Sequence, residues 1–183
     1  MRSSWGATGP SSCAIRRVCA SRASSRTGPR DGTIAWGIGA SFSFTVADAH
    51  GDTLRTIARA VVPEAVTNAE RDSATDVLRT MAENHAGVKQ LPAFDFPAHK
   101  PAYRHIVADA AGNWWVGSGA TYGTAPEHAR YDVFEAGGRY LGAVDVPSLR
   151  ILRIGEDFIA GVRTDSLGVP YAAVLPLIKP PQR

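Results

Sequence analysis

The sequence predicts an all-β chain: a partial β-propeller of about two to two and a half four-stranded antiparallel blades, with one inserted α-helix and a disordered N-terminal tail. Three observations carry this reading. An acid, an alanine, one further residue and a glycine recur as Asp48-Ala49-His50-Gly51, Asp109-Ala110-Ala111-Gly112 and Glu135-Ala136-Gly137-Gly138. The runs on either side alternate between apolar and polar residues as half-buried strands do. Gly112 and Gly138 lie 26 residues apart, room for two hairpins and a loop, which is one blade of about 40 to 50 residues.

Residues 1–30 hold Arg2, Arg16, Arg17, Arg22, Arg26 and Arg30, no acid, and a scatter of Ser, Gly, Ala and Pro without apolar period. Such a segment buries nothing and is expected to be a disordered tail. An acid-free, Arg- and Ser-rich start is also the composition of a transit peptide, and a false or truncated start gives the same picture, but no amphipathic period supports targeting. No apolar stretch is long enough for a secretory signal or a membrane span. The tail also explains the formal charge of +3, because residues 31–183 hold 14 Lys and Arg against 17 Asp and Glu. A mildly acidic body without a basic stripe excludes nucleic acid from the expected partners. Cys13 and Cys19 both fall in the tail, where free thiols are the expected state.

Residues 31–63 read as the second half of a blade, two strands around Gly51 with no first half before them. Phe44 and Val46, then Leu54 and Ile57, supply the alternation. Gly37-Ile38-Gly39 is a lone glycine pair without the third glycine or the strand–helix context of a phosphate loop. Residues 64–100 interrupt the β pattern. Thr67 followed by Glu70 makes a capping box, and Ala74, Val77, Leu78 and Met81 recur at helical spacing until Asn84–Gly87 end the run. A helix over 68–83 is therefore expected, with Glu70, Asp72 and Asp76 near its positive end. It is expected to lie over a face or the rim of the blades as a lid on strand edges, with a partner-binding helix as the alternative. Pro92, Pro97 and Pro101 then enforce an extended strap, with Phe94 and Phe96 packing on a blade.

Residues 101–147 form the complete blade, with strands over 104–108, 113–118, 130–134 and 139–145. Neighbours in a strand point to opposite faces, so Trp114 and Trp115 are expected to enter the packing on the two sides of this blade; contact of one ring with a ligand or partner is the alternative. Residues 148–183 begin a last blade with strands over 150–154, 157–163 and 170–177, and its fourth strand is missing. Asp48, Gly51, Asp109, Gly112, Glu135 and Gly138 are assigned to turns: the glycine takes a positive φ without steric cost, and the acid bonds the turn backbone.

Catalytic constellations are scarce. Gly117-Ser118-Gly119 lacks the frame of a nucleophile elbow. His50, His85, His99, His105 and His128 never fall at i, i+4. No catalytic, cofactor-binding or metal residue is assigned, and no cofactor is called for.

The stretch Ile106-Val107-Ala108-Asp109-Ala110-Ala111-Gly112-Asn113-Trp114-Trp115-Val116, followed by Tyr131-Asp132-Val133-Phe134-Glu135-Ala136-Gly137-Gly138-Arg139-Tyr140-Leu141-Gly142, resembles the NHL-type repeat of six-bladed β-propellers. The likeness covers 41–63 and 101–178. It implies a ring whose last blade is completed by an N-terminal strand, and about 270 residues for six blades, so the chain is expected to be the C-terminal part of a larger propeller. It also implies a module that binds a protein or a small ligand on one face of the ring without catalysis of its own. The alternative it implies is the C-terminal part of a metal-dependent hydrolase like the gluconolactonase-like propellers, whose Glu, Asn and Asp come from several blades; here Asn113 and Asp109 fit turns better. Relatives of this kind imply an extracytoplasmic setting. Two blades alone leave open sheet edges, from which self-association is expected.

Overall fold

The computed structural model describes residues 22–25, 32–84, 95–118 and 127–178. Within them the chain forms β1 (Arg22–Ser25), β2 (Ile34–Ile38), β3 (Ser43–Ala47), β4 (Thr53–Ala58), α1 (Asn68–Glu83), β5 (Tyr103–Ala108), β6 (Trp114–Ser118), β7 (His128–Phe134), β8 (Tyr140–Pro147), β9 (Arg150–Ile154), β10 (Phe158–Thr164) and β11 (Pro170–Pro176). Three antiparallel sheets result, ordered β1-β2-β3-β4, β5-β6-β7-β8 and β9-β10-β11. They follow the chain as meanders and stack side by side, a partial propeller-like all-β array.

The inner strand β5 lies against both β1 and β9. Asp109 and Ile154 form a parallel bridge there, and the amide of Ala110 donates to the carbonyl of Ile154 at 3.0 Å. Two apolar cores fill the boundaries between sheets. Ala35, Phe42, Phe44, Val46 and Ile57 of the first sheet meet Tyr103, Ile106, Trp114, Val116 and Phe134 of the second. On the other side of the second sheet, Val107, Trp115, Tyr131, Val133 and Val146 meet Ile154 and Ile159 of the third.

The first sheet corrects the expectation of a half blade, since β1 and β2 complete it to four strands. Their signal was hidden by which residues face the core. In β2 the buried face carries only Ala35 and Gly37, whereas Ile34, Trp36 and Ile38 point outward and are exposed. β1 lies in the stretch read as disordered tail, but Arg22–Ser25 pairs antiparallel with β2; the rest of the tail, with Cys13 and Cys19, lies outside the described residues. A strand reading Arg-Ala-Ser-Ser offers no apolar alternation to find.

α1 starts and stops where the sequence places it. Thr67 accepts from the amide of Glu70, Glu70 accepts from the amide of Thr67, and Asn84 caps the other end. Its relation to the sheets differs from expectation: α1 packs closely on none of the strands and has no buried residue, so it is not a lid over their edges. Only Ala74, Leu78 and their neighbours supply apolar atoms on a helix crowded with charge, too little to hold it on a sheet. Phe96 is half-buried, and Phe94 lies outside the described residues.

The strand directions give the array two unlike ends. At one end lie the short turns 48–51, 109–112, 135–138 and 155–157. At the other lie the starts of β1, β5 and β9, the 39–42 connection, the β10–β11 turn, and the described segments 59–84, with α1, and 95–102.

Candidate functional site

The turn end is built by the recurrent acid and glycine. Asp48 Oδ1 accepts from the amides of His50 and Asp52, both at 2.9 Å, and Gly51 donates to the carbonyl of Asp48. Asp109 repeats this with the amides of Ala111 and Asn113, and Gly112 closes on its carbonyl. A further copy, Asp165 with Leu167, Val169 and Gly168, shapes the β10–β11 turn at the opposite end. Glu135 departs from the expectation. Gly138 donates to its carbonyl at 2.8 Å, but its longer side chain pairs with Arg139 at 2.8 Å instead of the turn amides. The glycines all sit at positive φ, for example 85° at Gly112 and 97° at Gly138.

Asp109 does more than shape a turn. It is buried, and its second oxygen accepts from Asn113 Nδ2 at 2.9 Å and from the indole of Trp115 at 3.2 Å. Trp114 and Trp115, at 1% and 3% exposure, enter the two cores on opposite sides of the second sheet. Neither ring offers a surface to a ligand or partner. Gly37, weighed as part of a phosphate loop, lies in β2 beneath the phenol of Tyr103, where a Cβ would strike the hydroxyl oxygen.

The long connections meet at the other end around a cleft of about 400 Å³, lined by 40–42, 59–64 and 99–102. Phe42, Val61, Val62, Pro63 and Pro101 give it apolar walls; Arg59, Glu64, His99 and Lys100 give it polar ones. Its walls are tied by backbone. Val66 donates to Ala98 at 3.0 Å, Lys100 to Glu64 at 2.7 Å, and Ala102 to Gly39 at 2.7 Å, with Ala65 and His99 bridged between them. The helix is thus held by a stem of two paired segments.

Charges around the cleft are matched with one another. The ammonium of Lys100, nearly buried, bridges Glu64 and Glu70, the latter at 2.7 Å. The Lys100 hydrogen bond, helped by the amide of Thr67, holds the Glu70 carboxyl down to about 2, and Glu64 with Glu70 raises Lys100 above its ordinary value. Arg59 pairs with the buried Asp132 at 2.8 Å and lies over the ring of Tyr140, 4.6 Å from its centre. Tyr140 donates to the same carboxylate at 2.9 Å. Arg59 follows β4 and Asp132 lies in β7, so this cluster clamps the first sheet to the second.

Arg104 and His105 of β5 lie at the same end, Arg104 exposed and the His105 ring packed over Gly117. His105 Nε2 and the hydroxyl of Tyr131 are 2.8 Å apart. Desolvation, then Arg104, lowers the pKa of His105, and burial pushes that of Tyr131 up to about 12. Sequence reading passed over Arg59, Lys100, Asp132 and Tyr131; only the helix cap Glu70 was marked, and its partner Lys100 stands beyond the helix with no local pattern to signal it.

Among the described residues no three of His, Cys, Asp or Glu converge as a metal-binding set, and no helix is long and apolar enough to cross a membrane. Compared with known proteins, the sequence matches no protein-family model and no curated protein.

Proposed function

We propose that this chain is a propeller of the NHL-like, six-bladed kind that works as a binding or scaffold module without catalysis of its own, and that it takes its ligand or protein partner at the end bearing the long connections. The unequal ends carry this reading. Tight turns with self-satisfied backbone close one end, whereas the other holds, besides the β10–β11 turn, the long connection between β4 and β5, where binding residues concentrate on a rigid scaffold. The cleft there has both apolar and polar walls, the composition of a recognition pocket. Its charged groups are engaged with one another, which suits a preformed surface more than a reacting group.

Photo-crosslinking amino acids at Val62 on the cleft rim and at His50 on the turn end provide the test. Adducts are expected from Val62 and not from His50; each crosslinked species, once purified, is then titrated against wild-type protein and Lys100→Glu. Equal labelling at both ends, or labelling only at His50, would overturn the assignment.

A further inference from the structure

Each boundary inside the molecule joins two unlike sheet faces. The first sheet presents Ala35 and Val46, cross-strand neighbours and both buried. The second answers with Trp114 and Val116. The third sheet repeats that receiving surface, and none of the described residues is seated on it. Ala160 and Val174 are cross-strand neighbours there, while the adjacent pair Ile159 and Leu175 turns the other way, into the core shared with the second sheet. Val174 is 69% exposed.

The opposite limit of the array repeats the inserting surface. Ile34 pairs with Ala47 and Trp36 with Thr45, as Trp114 pairs with Phe134 and Val116 with Asp132, in each case counting back from the acid that opens the next turn. Trp36 is 53% exposed and Ile34 40%. One chain therefore carries both halves of its own recurring boundary, one at each end of the stack.

We propose that a second copy of this chain covers both faces: Ile34 and Trp36 of each copy seat on the Ala160–Val174 ladder of the other. The contact is head-to-tail, so it either closes a ring or runs on as a filament. Propellers hold about 4 to 8 blades, and with three sheets per copy the single multiple in that range is six, reached by two copies. The residues named on both faces are uncharged. Arg153, cross-strand neighbour of Ala160, borders the ladder where Trp36 would arrive, and a guanidinium stacks well on an indole. The inference takes its six blades from the propeller reading but nothing from the identity of a ligand. It differs from pairing through open strand edges, because the faces and not the edges make the contact.

Sedimentation equilibrium of the full chain tests it, with near-ultraviolet circular dichroism as the control for folding. The expected mass is twice that of one chain and does not grow with concentration. Trp36→Glu and Val174→Glu, both at exposed positions, are each expected to weaken the dimer by roughly 30-fold or more, as loss of a central anchor does. Mixing the two variants restores one intact boundary of the two and should recover mixed dimers. A folded wild-type monomer, mass that climbs without limit, or a dimer that survives both variants would each overturn the proposal. A monomer whose crosslinks still map to Val62 removes the closure and leaves the binding role standing.

Discussion

The phenol of Tyr103 donates a hydrogen bond to the backbone carbonyl of Ser43 at 2.7 Å, from the inner strand of the second sheet to the third strand of the first. Tyr103 is completely buried, edge-on to Phe42 and Phe44, and burial raises its pKa. One side chain thus supplies both apolar contact and a directional tie across the first boundary.

Tyr103→Phe keeps the ring and removes the tie, so it is expected to cost about 1 kcal/mol. Gly37→Ala costs more, about 1–3 kcal/mol, because its methyl would meet the Tyr103 hydroxyl, the Ser43 carbonyl at 2.8 Å and the Phe44 backbone at 3.1 Å. Urea unfolding at constant m-value reads both. If Gly37→Ala proves neutral, the two sheets do not approach as closely as this.

The side-chain bonds of Asp109 to Ala111, Asn113 and the buried Trp115 indole set it apart from the other turn acids. Asp109→Ala leaves two turn amides and the buried Trp115 indole without a partner, and is expected to cost about 3 kcal/mol. Glu135→Ala removes only an exposed pair with Arg139 and should leave the urea midpoint where it was. Equal losses from the two substitutions would refute the distinction between a buried network and a surface turn.

His105 makes stability depend on pH near neutrality. Its folded pKa is lowered by desolvation and Arg104, so the unfolded chain takes up the proton first. The stabilisation is complete above the ordinary histidine value of about 6.5 and is lost as pH falls below it through the lowered folded value. His105→Gln, which does not titrate, should flatten that slope in urea midpoints measured across the range. A slope unchanged by the substitution would place the titration elsewhere.

Much of this architecture was legible because the signals are local. The second and third sheets contain turns in which a side chain bonds its own backbone, so Asp109–Gly112 and Asp165–Gly168 mark hairpins with no knowledge of the rest of the chain. The capping box of Thr67 and Glu70 is local in the same way. The first half of the first sheet was not legible, since Ala35 and Gly37 make its buried face and only distant Tyr103 and the neighbouring strand explain why position 37 must be glycine. The loop-end site was less legible still. Arg59 with Asp132 and Lys100 with Glu70 meet across long separations, and the turns at the other end gave no hint of where they would come together.

The stem that holds α1 should open in acid. Lys100 and the Thr67 amide hold Glu70 at about 2 against an ordinary 4.5, so the stabilisation it lends is complete above about pH 4.5 and is lost as pH falls toward 2. Loss of Glu70 also weakens the helix start, because the same carboxylate accepts from the Thr67 amide at 3.0 Å. The first expected event below about pH 4 is therefore loss of helix signal in far-ultraviolet circular dichroism, with new proteolytic cuts in 59–102, while the sheet cores persist. Glu70→Gln retains an acceptor for the cap but does not titrate, and should flatten the acid transition of the helix signal. Lys100→Met should move the acid transition upward toward the ordinary carboxylate range. Helix signal that falls at the same pH in wild type and Lys100→Met would mean that Lys100 does not hold the stem.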